Sequence, residues 1–329
     1  MLAFVEITPW HWACFIACVV IFLALDLGVF HRSAHTVRFK EALAWSVLWA
    51  TLSLGFAGAL SVLRGREESI EFLTGYIIEL SLSMDNVFVI ALIFAYFRVP
   101  SQYQHRVLFW GILGALLMRG LMIAAGAALV QRFQWTLYLF GAFLVVTGLK
   151  MLLAKENGVH PEKNPVVRLA RKFFPVTAEM HGQKFSVQLD GRRLLTPLAL
   201  VLVVVETTDL IFALDSIPAI FAVTTKPFIV FTSNVFAILG LRSLYFVLAG
   251  AIAYFRYLKV GLSLVLVFVG VKMLLAPHGD SHRWFQVEIS TGLSLLVVAG
   301  IIAVSIAVSF SAARRDQKRG VDKTPDPGG

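Results

Sequence analysis

The sequence predicts an all-α polytopic membrane protein of about nine transmembrane helices, six of which form an inverted pair of three-helix repeats. The 329 residues are 58% hydrophobic and 15% charged, and a soluble core of this size cannot hide that much apolar surface. Long apolar runs recur along the chain, and helices satisfy every backbone polar group inside a bilayer. A Rossmann-type enzyme, a nucleic-acid-binding protein and a secreted disulfide scaffold are excluded.

Nine apolar runs are long enough to span a bilayer. They lie at 10–30, 42–63, 72–97, 106–130, 134–154, 197–222, 228–252, 257–276 and 287–311. Residues 1–9 contain no Lys or Arg, and no small-residue cleavage site follows the first run, so we expect an anchor rather than a cleaved signal. The predicted organisation is two helices in 1–71, a first repeat in 72–154, a basic loop in 155–196, a second repeat in 197–276, a ninth helix in 277–311 and a disordered tail in 312–329.

The basic residues predict the orientation of the chain. One set of loops and the C-terminal tail carry 20 of the 29 Lys and Arg residues, whereas the opposite side carries 5. Because Lys and Arg accumulate in cytoplasmic loops, we expect the N-terminus outside and the C-terminus in the cytoplasm. The 155–196 loop is then cytoplasmic, and alternating residues around Asp190-Gly191 predict a small hairpin in it. The net charge of +9 therefore reflects topology and does not indicate nucleic acid.

The third to fifth spans and the sixth to eighth spans share features in the same order. VVTGLKMLLA at 145–154 is similar to VFVGVKMLLA at 267–276, and GILGALLMRG at 111–120 to AILGLRSLYF at 237–246. The third and sixth spans each carry two acidic residues six positions apart. Since each unit has three spans, the second must be inverted relative to the first, as in many secondary transporters. A duplication retained only for packing is the alternative.

Five carboxylates lie deep within two of these spans. Unpaired, they would cost about 12–17 kcal/mol on insertion scales. Asp85 and Asp209 fall near the expected midplane of the bilayer. The five are Glu79 and Asp85 in the third span and Glu206, Asp209 and Asp215 in the sixth. Such a cluster indicates an ion path, with an acid–arginine scaffold as the alternative.

Bases inside the spans are too few to balance these acids. Arg119 and Arg242 lie within helices, whereas Lys150 and Lys272 lie nearer helix ends. Protonation of some acids is one solution, and a bound divalent cation is a more direct one. The available ligands are all oxygens, which suits Mn²⁺, Mg²⁺ or Ca²⁺. Further oxygens come from Asn86, Asn234 and Ser216, for which an interhelical hydrogen bond is an equal alternative.

Helical geometry separates the acids of the sixth span. At about 100° per residue, Glu206 and Asp209 share a face, while Asp215 lies about 180° from Glu206. We expect Pro218 to break the helix near Asp215 and to free the carbonyl of Leu214 as a further ligand.

Three residues of the first span are less informative. Asp26, near its cytoplasmic end, is a path-lining candidate, although a structural pair is the commoner role. Cys14 and Cys18 share a helix face, and we interpret them as packing residues, with a soft-metal site as the alternative.

Two segments resemble the signature segments of the TerC/Alx family of bacterial inner-membrane proteins. They are GYIIELSLSMDNVFVIALIF at 75–94 and VVVETTDLIFALDSIPAIFAVTTKPFIVFTSNVFAILGLRSLYF at 203–246, and the likeness extends from about Asp26 through the ninth span. The 155–196 region and the nine spans look most like the Alx branch. The resemblance implies an inner-membrane location, Mn²⁺ export, a LysE-like inverted repeat and family acidic positions at the five carboxylates. It also implies links to tellurium resistance, to metal loading of exported enzymes and to alkaline conditions.

We therefore expect a divalent-cation exporter, with Mn²⁺ as the transported ion, that works by alternating access. Proton antiport is a hypothesis, since acids that bind metal must first lose their protons. An intramembrane metalloenzyme is the second interpretation, but no His-x-x-Glu-His-like signature or nucleophile–base pair is present, so we expect no enzyme activity and no prosthetic group. A membrane partner that assists exported metalloproteins or senses alkaline pH is the third. The sequence leaves homo-oligomerisation and a secretion-linked partner open.

Overall fold

The computed structural model describes residues 7–25, 39–153, 175–177, 179–189, 192–249, 258–277, 286–287 and 289–321. Three features predicted from the sequence lie outside these ranges. They are Asp26, most of the basic loop with its Asp190-Gly191 turn, and the end of the C-terminal tail. The disorder expected for 312–329 is wrong for residues 312–321, because the last helix continues to Val321 through residues such as Ala, Arg and Lys that favour helix.

The described residues form nine helices, which correspond one to one to the nine predicted apolar runs. They are α1 Pro9–Leu25, α2 Phe39–Leu63, α3 Arg66–Tyr96, α4 Ser101–Arg132, α5 Thr136–Leu153, α6 Pro197–Phe221, α7 Pro227–Ala249, α8 Leu258–Leu275 and α9 Thr291–Val321. Seven of them, α2 to α7 and α9, are long and apolar enough to cross a membrane. That α1, which has 17 residues, and α8 also cross it remains a prediction.

A short antiparallel hairpin precedes α6. Strands β1 Ser186–Leu189 and β2 Arg192–Leu195 pair so that Ser186 lies opposite Leu195. The segment before β1 contacts the first turns of α4, where Arg106 donates a hydrogen bond to Gln183 at 3.3 Å and stacks over the ring of Phe185. The hairpin region therefore packs on the end of the helix bundle at which α3 ends and α4 begins. Its cytoplasmic location remains a prediction.

Helices α3, α4, α6 and α7 form the centre of the bundle. Helix α3 packs against α7, α6 and α2, and α4 packs against α6 and α7. Large apolar side chains on the outer faces are exposed, for example Leu117 at 68% on α4 and Leu296 at 70% on α9. Exposed apolar surface of this extent is typical of helices that face lipid. The buried interior contains many polar side chains, and these form the candidate site.

Helices α5 and α8 pack closely at glycines. A Cβ at Gly148 would lie 2.9 Å from the carbonyl oxygen of Ser263, and a Cβ at Gly270 would lie 2.8 Å from that of Gly141. Residues 141 and 263, like 148 and 270, occupy matching positions in the two similar segments. The contact of Gly148 with Ser263 and the contact of Gly270 with Gly141 are therefore equivalent: each pairs the same two positions, with the two segments in opposite roles. Small residues permit such close backbone approach between membrane helices.

Candidate cation site

The guanidinium of Arg119 is the centre of a buried charged cluster. Arg119 lies on α4, is 2% exposed, and forms ion pairs with Glu79 of α3 and Asp209 of α6. It binds Asp209 with two hydrogen bonds, from Nη2 to Oδ1 at 2.9 Å and from Nε to Oδ2 at 3.2 Å. Asp209 lies twelve residues from either end of α6, so the cluster is about 18 Å from both helix ends.

Two asparagines complete the hydrogen bonding of these carboxylates. Asn86 of α3 donates from Nδ2 to Asp209 Oδ1 at 3.3 Å, and Asn234 of α7 donates to Glu79 Oε2 at 3.1 Å. Both amides are almost fully buried. Four helices thus contribute to one polar network, and Asn86 and Asn234 each form an interhelical hydrogen bond, which was one of the two alternatives left open by the sequence.

A small cavity adjoins the cluster. Its volume is about 40 Å³, which is room for a water molecule or a single ion. Asp85 of α3 and Asp215 of α6 line it together with Arg119 and four apolar residues. The remaining two lining residues, Asn86 and Ser216, connect it to the cluster, because Arg119 donates to Ser216 Oγ at 3.4 Å.

The cavity wall contains oxygens that suit a cation. The buried Oδ1 of Asn86 accepts no hydrogen bond from any described residue. Asp85 and Asp215 are only partly buried, and Thr147 of α5 lies near the Asp215 carboxylate. An amide oxygen and two carboxylates around one cavity form a hard-oxygen donor set.

The acids of α3 and α6 meet in matching pairs. Glu79 and Asp209, which the acidic spacing places at matching positions of the two predicted repeats, share Arg119, whereas Asp85 and Asp215 share the cavity. Across the described ranges, no three His, Cys, Asp or Glu side chains converge closely enough to hold a metal ion by themselves. The five carboxylates predicted from the sequence are therefore distributed over separate places.

The fifth carboxylate, Glu206, points at α4. A Cβ at Gly114 would collide with the Glu206 carboxylate, so glycine provides the space for it. The buried Oε2 of Glu206 has no hydrogen-bond partner among the described residues. Glu206 lies one turn before Asp209 on the same face of α6, as the helical geometry predicted.

Two expectations about supporting residues require correction. The helix break expected at Pro218 is not observed, because α6 continues through Pro218 to Phe221. Proline removes a single backbone hydrogen bond, and the next turn still closes, with Ala222 N donating to Pro218 O at 3.1 Å. Among the contacts of the described residues, Arg242 forms no ion pair with the five carboxylates of α3 and α6, and it lines a separate cavity with aromatic residues such as Trp45 and Trp49.

Sequence reasoning missed a second charged cluster, at the start of α3. Lys226, between α6 and α7, lies 3.2 Å from Glu71 and 3.4 Å from Glu68, and Thr224 donates to Glu71 at 3.0 Å. Burial alone would lower the pKa of Lys226, but the attraction of the two carboxylates outweighs it and raises the pKa above its ordinary value. The signal in the sequence was the run of acids at 67, 68 and 71 next to a predicted loop.

Comparison with known proteins identifies the family. Residues 64–317 match the profile of the Integral membrane protein TerC family. The chain belongs to this family. A Myxococcus xanthus relative named "Uncharacterized membrane protein STKORF319" is 53% identical over 307 residues, which are 93% of this chain and 94% of the relative.

Several relatives carry the name "Putative membrane-bound redox modulator Alx". The Salmonella typhi protein is 47% identical over 94% of this chain and 97% of its own length, and the Escherichia coli K12 protein is 46% identical over 95% and 98%. No solved structure matches the chain. The resemblance to TerC and Alx proteins seen in the sequence is thus confirmed, and the protein is an integral multi-pass membrane protein of the TerC family.

Proposed function

We propose that this TerC-family protein exports a divalent metal cation, with Mn²⁺ as the preferred substrate. The observation that carries the proposal is the cavity between α3 and α6, where Asp85, Asp215 and the unpartnered amide oxygen of Asn86 face one small space. Two carboxylates balance the charge of one divalent ion. Their hard oxygens favour Mn²⁺, Mg²⁺ or Ca²⁺ over soft metals.

The geometry favours transport over a purely structural role. Charged residues in a membrane interior are costly, and they mark ion pathways when they face an internal cavity. Here the acids come in matching pairs from α3 and α6, and the equivalent contacts between α5 and α8 support an inverted repeat. Transporters built from such repeats bind their substrates at the repeat interface.

Contacts at the two ends of the bundle provide candidate gates. The Lys226–Glu71 pair joins the start of α3 to the α6–α7 connection, and the hairpin region covers the opposite end through Arg106. With the orientation proposed from the basic loops, the lysine pair faces outward and the hairpin faces the cytoplasm in the bacterial inner membrane. Alternating access would open these two ends in turn.

Reconstitution tests this function. We expect purified wild-type protein in liposomes to move Mn²⁺ down its gradient, and expect Asp85→Asn and Asp215→Asn to abolish the flux because each removes a charged ligand. Glu67→Gln is the matched control, because Glu67 is an exposed acid on the same helix as Asp85. Flux that survives both cavity substitutions would contradict the proposed site, and a wild type without flux would contradict export.

Proton coupling is a separate part of the proposal. Carboxylates must be deprotonated to bind metal, so protons and Mn²⁺ compete for Asp85 and Asp215. We expect Mn²⁺ uptake into the liposomes to change with an imposed pH gradient at constant Mn²⁺ gradient. A flux independent of the pH gradient would exclude proton antiport while leaving metal transport intact.

The name of the Alx relatives suggests a redox function as a second candidate. Cys14 and Cys18 are the two cysteines of the chain, and both are free and exposed on α1. A thiol-based redox function would act through them. Replacing both by serine separates the two functions, because Mn²⁺ flux depends on α3 and α6 and should be unchanged.

A further inference from the structure

We propose that Arg119 is an internal competitor of the transported cation, and that Glu206 is the carboxylate to which Arg119 moves when the cation binds. In the structure Arg119 forms ion pairs with Glu79 and Asp209. A divalent ion in the adjoining cavity would bind the Asp209 carboxylate in place of Arg119. The guanidinium would then shift one turn along α6 and pair with Glu206. This inference rests on the proposed export function and adds to it a movement of Arg119 that accompanies binding of the cation.

Arg119 has strong contacts with two carboxylates and weak contacts with two other polar side chains. Its close contacts are to the two carboxylates, while those to Ser216 and Asn234 are 3.4 and 3.5 Å and thus near the limit of a hydrogen bond. The guanidinium also forms part of the cavity wall. A dication in that cavity would repel Arg119 and attract Asp209, and both forces are strong in a buried site.

Glu206 has the properties of an acceptor for the displaced arginine. It lies on the same face of α6 as Asp209, where residues three apart have Cβ atoms about 5–6 Å from each other. Its buried Oε2 lacks a partner within the described part of the chain, which is costly for a carboxylate. Helical side chains also point toward the N-terminus of their helix, and Gly114, which contacts Glu206, lies on that side of Arg119 in α4.

The alternative is a static arrangement. In that case Arg119 only neutralises its two partners, and Glu206 is either an independent metal ligand or an unused acid. The two arrangements differ in how substitutions at 119 and 206 combine, because a competitor and its acceptor are coupled while independent groups are additive.

A double-mutant cycle of Mn²⁺ flux in liposomes separates them. We expect Arg119→Gln to lower the KM for Mn²⁺ about tenfold, because the ion then binds Asp209 without competition from the guanidinium. We also expect a lower maximal rate, because Arg119 no longer displaces the bound ion. We expect Glu206→Gln to raise the KM about tenfold, because Arg119 loses its alternative partner. In the Arg119→Gln background, Glu206→Gln should leave the KM unchanged.

Each result has a defined meaning. A KM that rises or stays constant in Arg119→Gln would overturn the inference, and so would a full Glu206→Gln effect in the double variant, since Glu206 would then act on the metal directly. If Arg119→Gln does not fold, Arg119→Lys takes its place, because lysine keeps the charge but its single nitrogen cannot reproduce the bidentate pairing of a guanidinium with a carboxylate. The effect of Glu206→Gln should shrink at least threefold in that background, and an undiminished effect would overturn the inference. Absence of flux in the wild type contradicts export itself, and is distinguishable from either result.

Discussion

Replacing Gly270 by alanine tests whether α5 and α8 are held together at their backbones. A Cβ at Gly270 would lie 2.8 Å from the carbonyl oxygen of Gly141 and 2.9 Å from the backbone nitrogen of Val145. Real Cβ atoms do not approach backbone atoms this closely, and helix backbones cannot rotate away as side chains do. The substitution therefore forces α5 and α8 apart.

The expected cost follows from two opposing effects. Overpacking a tight interface costs about 1–3 kcal/mol, whereas alanine in place of glycine stabilises a helix by about 0.5–1 kcal/mol. The net loss at Gly270 is then about 1 kcal/mol. Gly58→Ala in α2 is the matched control, because nothing lies within 4 Å of its Cβ and only the helix gain remains. The two variants should differ in the free energy of unfolding by about 2 kcal/mol.

Unfolding in mixed micelles of dodecyl maltoside and increasing SDS measures this difference. Gly148→Ala should behave like Gly270→Ala, because its Cβ would meet the carbonyl oxygen of Ser263 at 2.9 Å in the equivalent contact. If Gly270→Ala were as stable as Gly58→Ala, the close approach of α5 and α8 would not exist. A large loss at Gly270 with none at Gly148 would instead contradict the equivalence of the two segments.

Three further predictions concern the ends of the bundle and α1. The raised pKa of Lys226 means that its ion pair stabilises the protein fully below its ordinary value of about 10.5 and loses that contribution as pH rises through the folded-state value. From pH 8 to 12, the unfolding temperature of the wild type should fall more than that of Lys226→Gln. If the unfolding temperatures of both proteins change with pH in parallel, the ion pair does not stabilise the protein. Arg106→Gln removes a cation–π contact worth about 0.5–1 kcal/mol, so protease cleavage of the hairpin region should become faster, with unchanged cleavage as the contrary result. The Cys14→Ser/Cys18→Ser variant should transport Mn²⁺ at the wild-type rate, and loss of flux would bring α1 into the mechanism.

The helices were predictable because their signal is local. An apolar run of spanning length is visible in the sequence whatever it packs against, and all nine runs contain a helix. The hairpin was predictable for the same reason, since alternation around an Asp-Gly turn is also local. The continuity of α6 was not, because the effect of Pro218 depends on whether neighbouring turns keep their hydrogen bonds.

The site was predictable only in part, because partner choice is a property of packing. Spacing identified Asp85 and Asp215 as a matching pair, and the structure brings both to one cavity. No rule of spacing could tell that Arg119 would bind two acids while Arg242 would lie elsewhere. Thr147 escaped notice for a related reason. The residue at the matching position of the similar segment 267–276 is a valine, so the similarity of the two segments gave no hint of a polar role.

We expect the charged cluster to serve transport rather than stability, and an apolar replacement tests this expectation. Buried ion-pair triads exchanged for hydrophobic residues often leave a protein equally stable or more stable by about 1–4 kcal/mol. In the variant Glu79→Leu/Arg119→Met/Asp209→Leu, two asparagine amides lose their acceptors, which offsets part of that gain. We therefore expect a folded protein of near wild-type stability without Mn²⁺ flux. Unfolding of this variant would show that the cluster is the scaffold of the bundle, whereas a folded but inactive protein would show that the membrane interior carries these charges for transport.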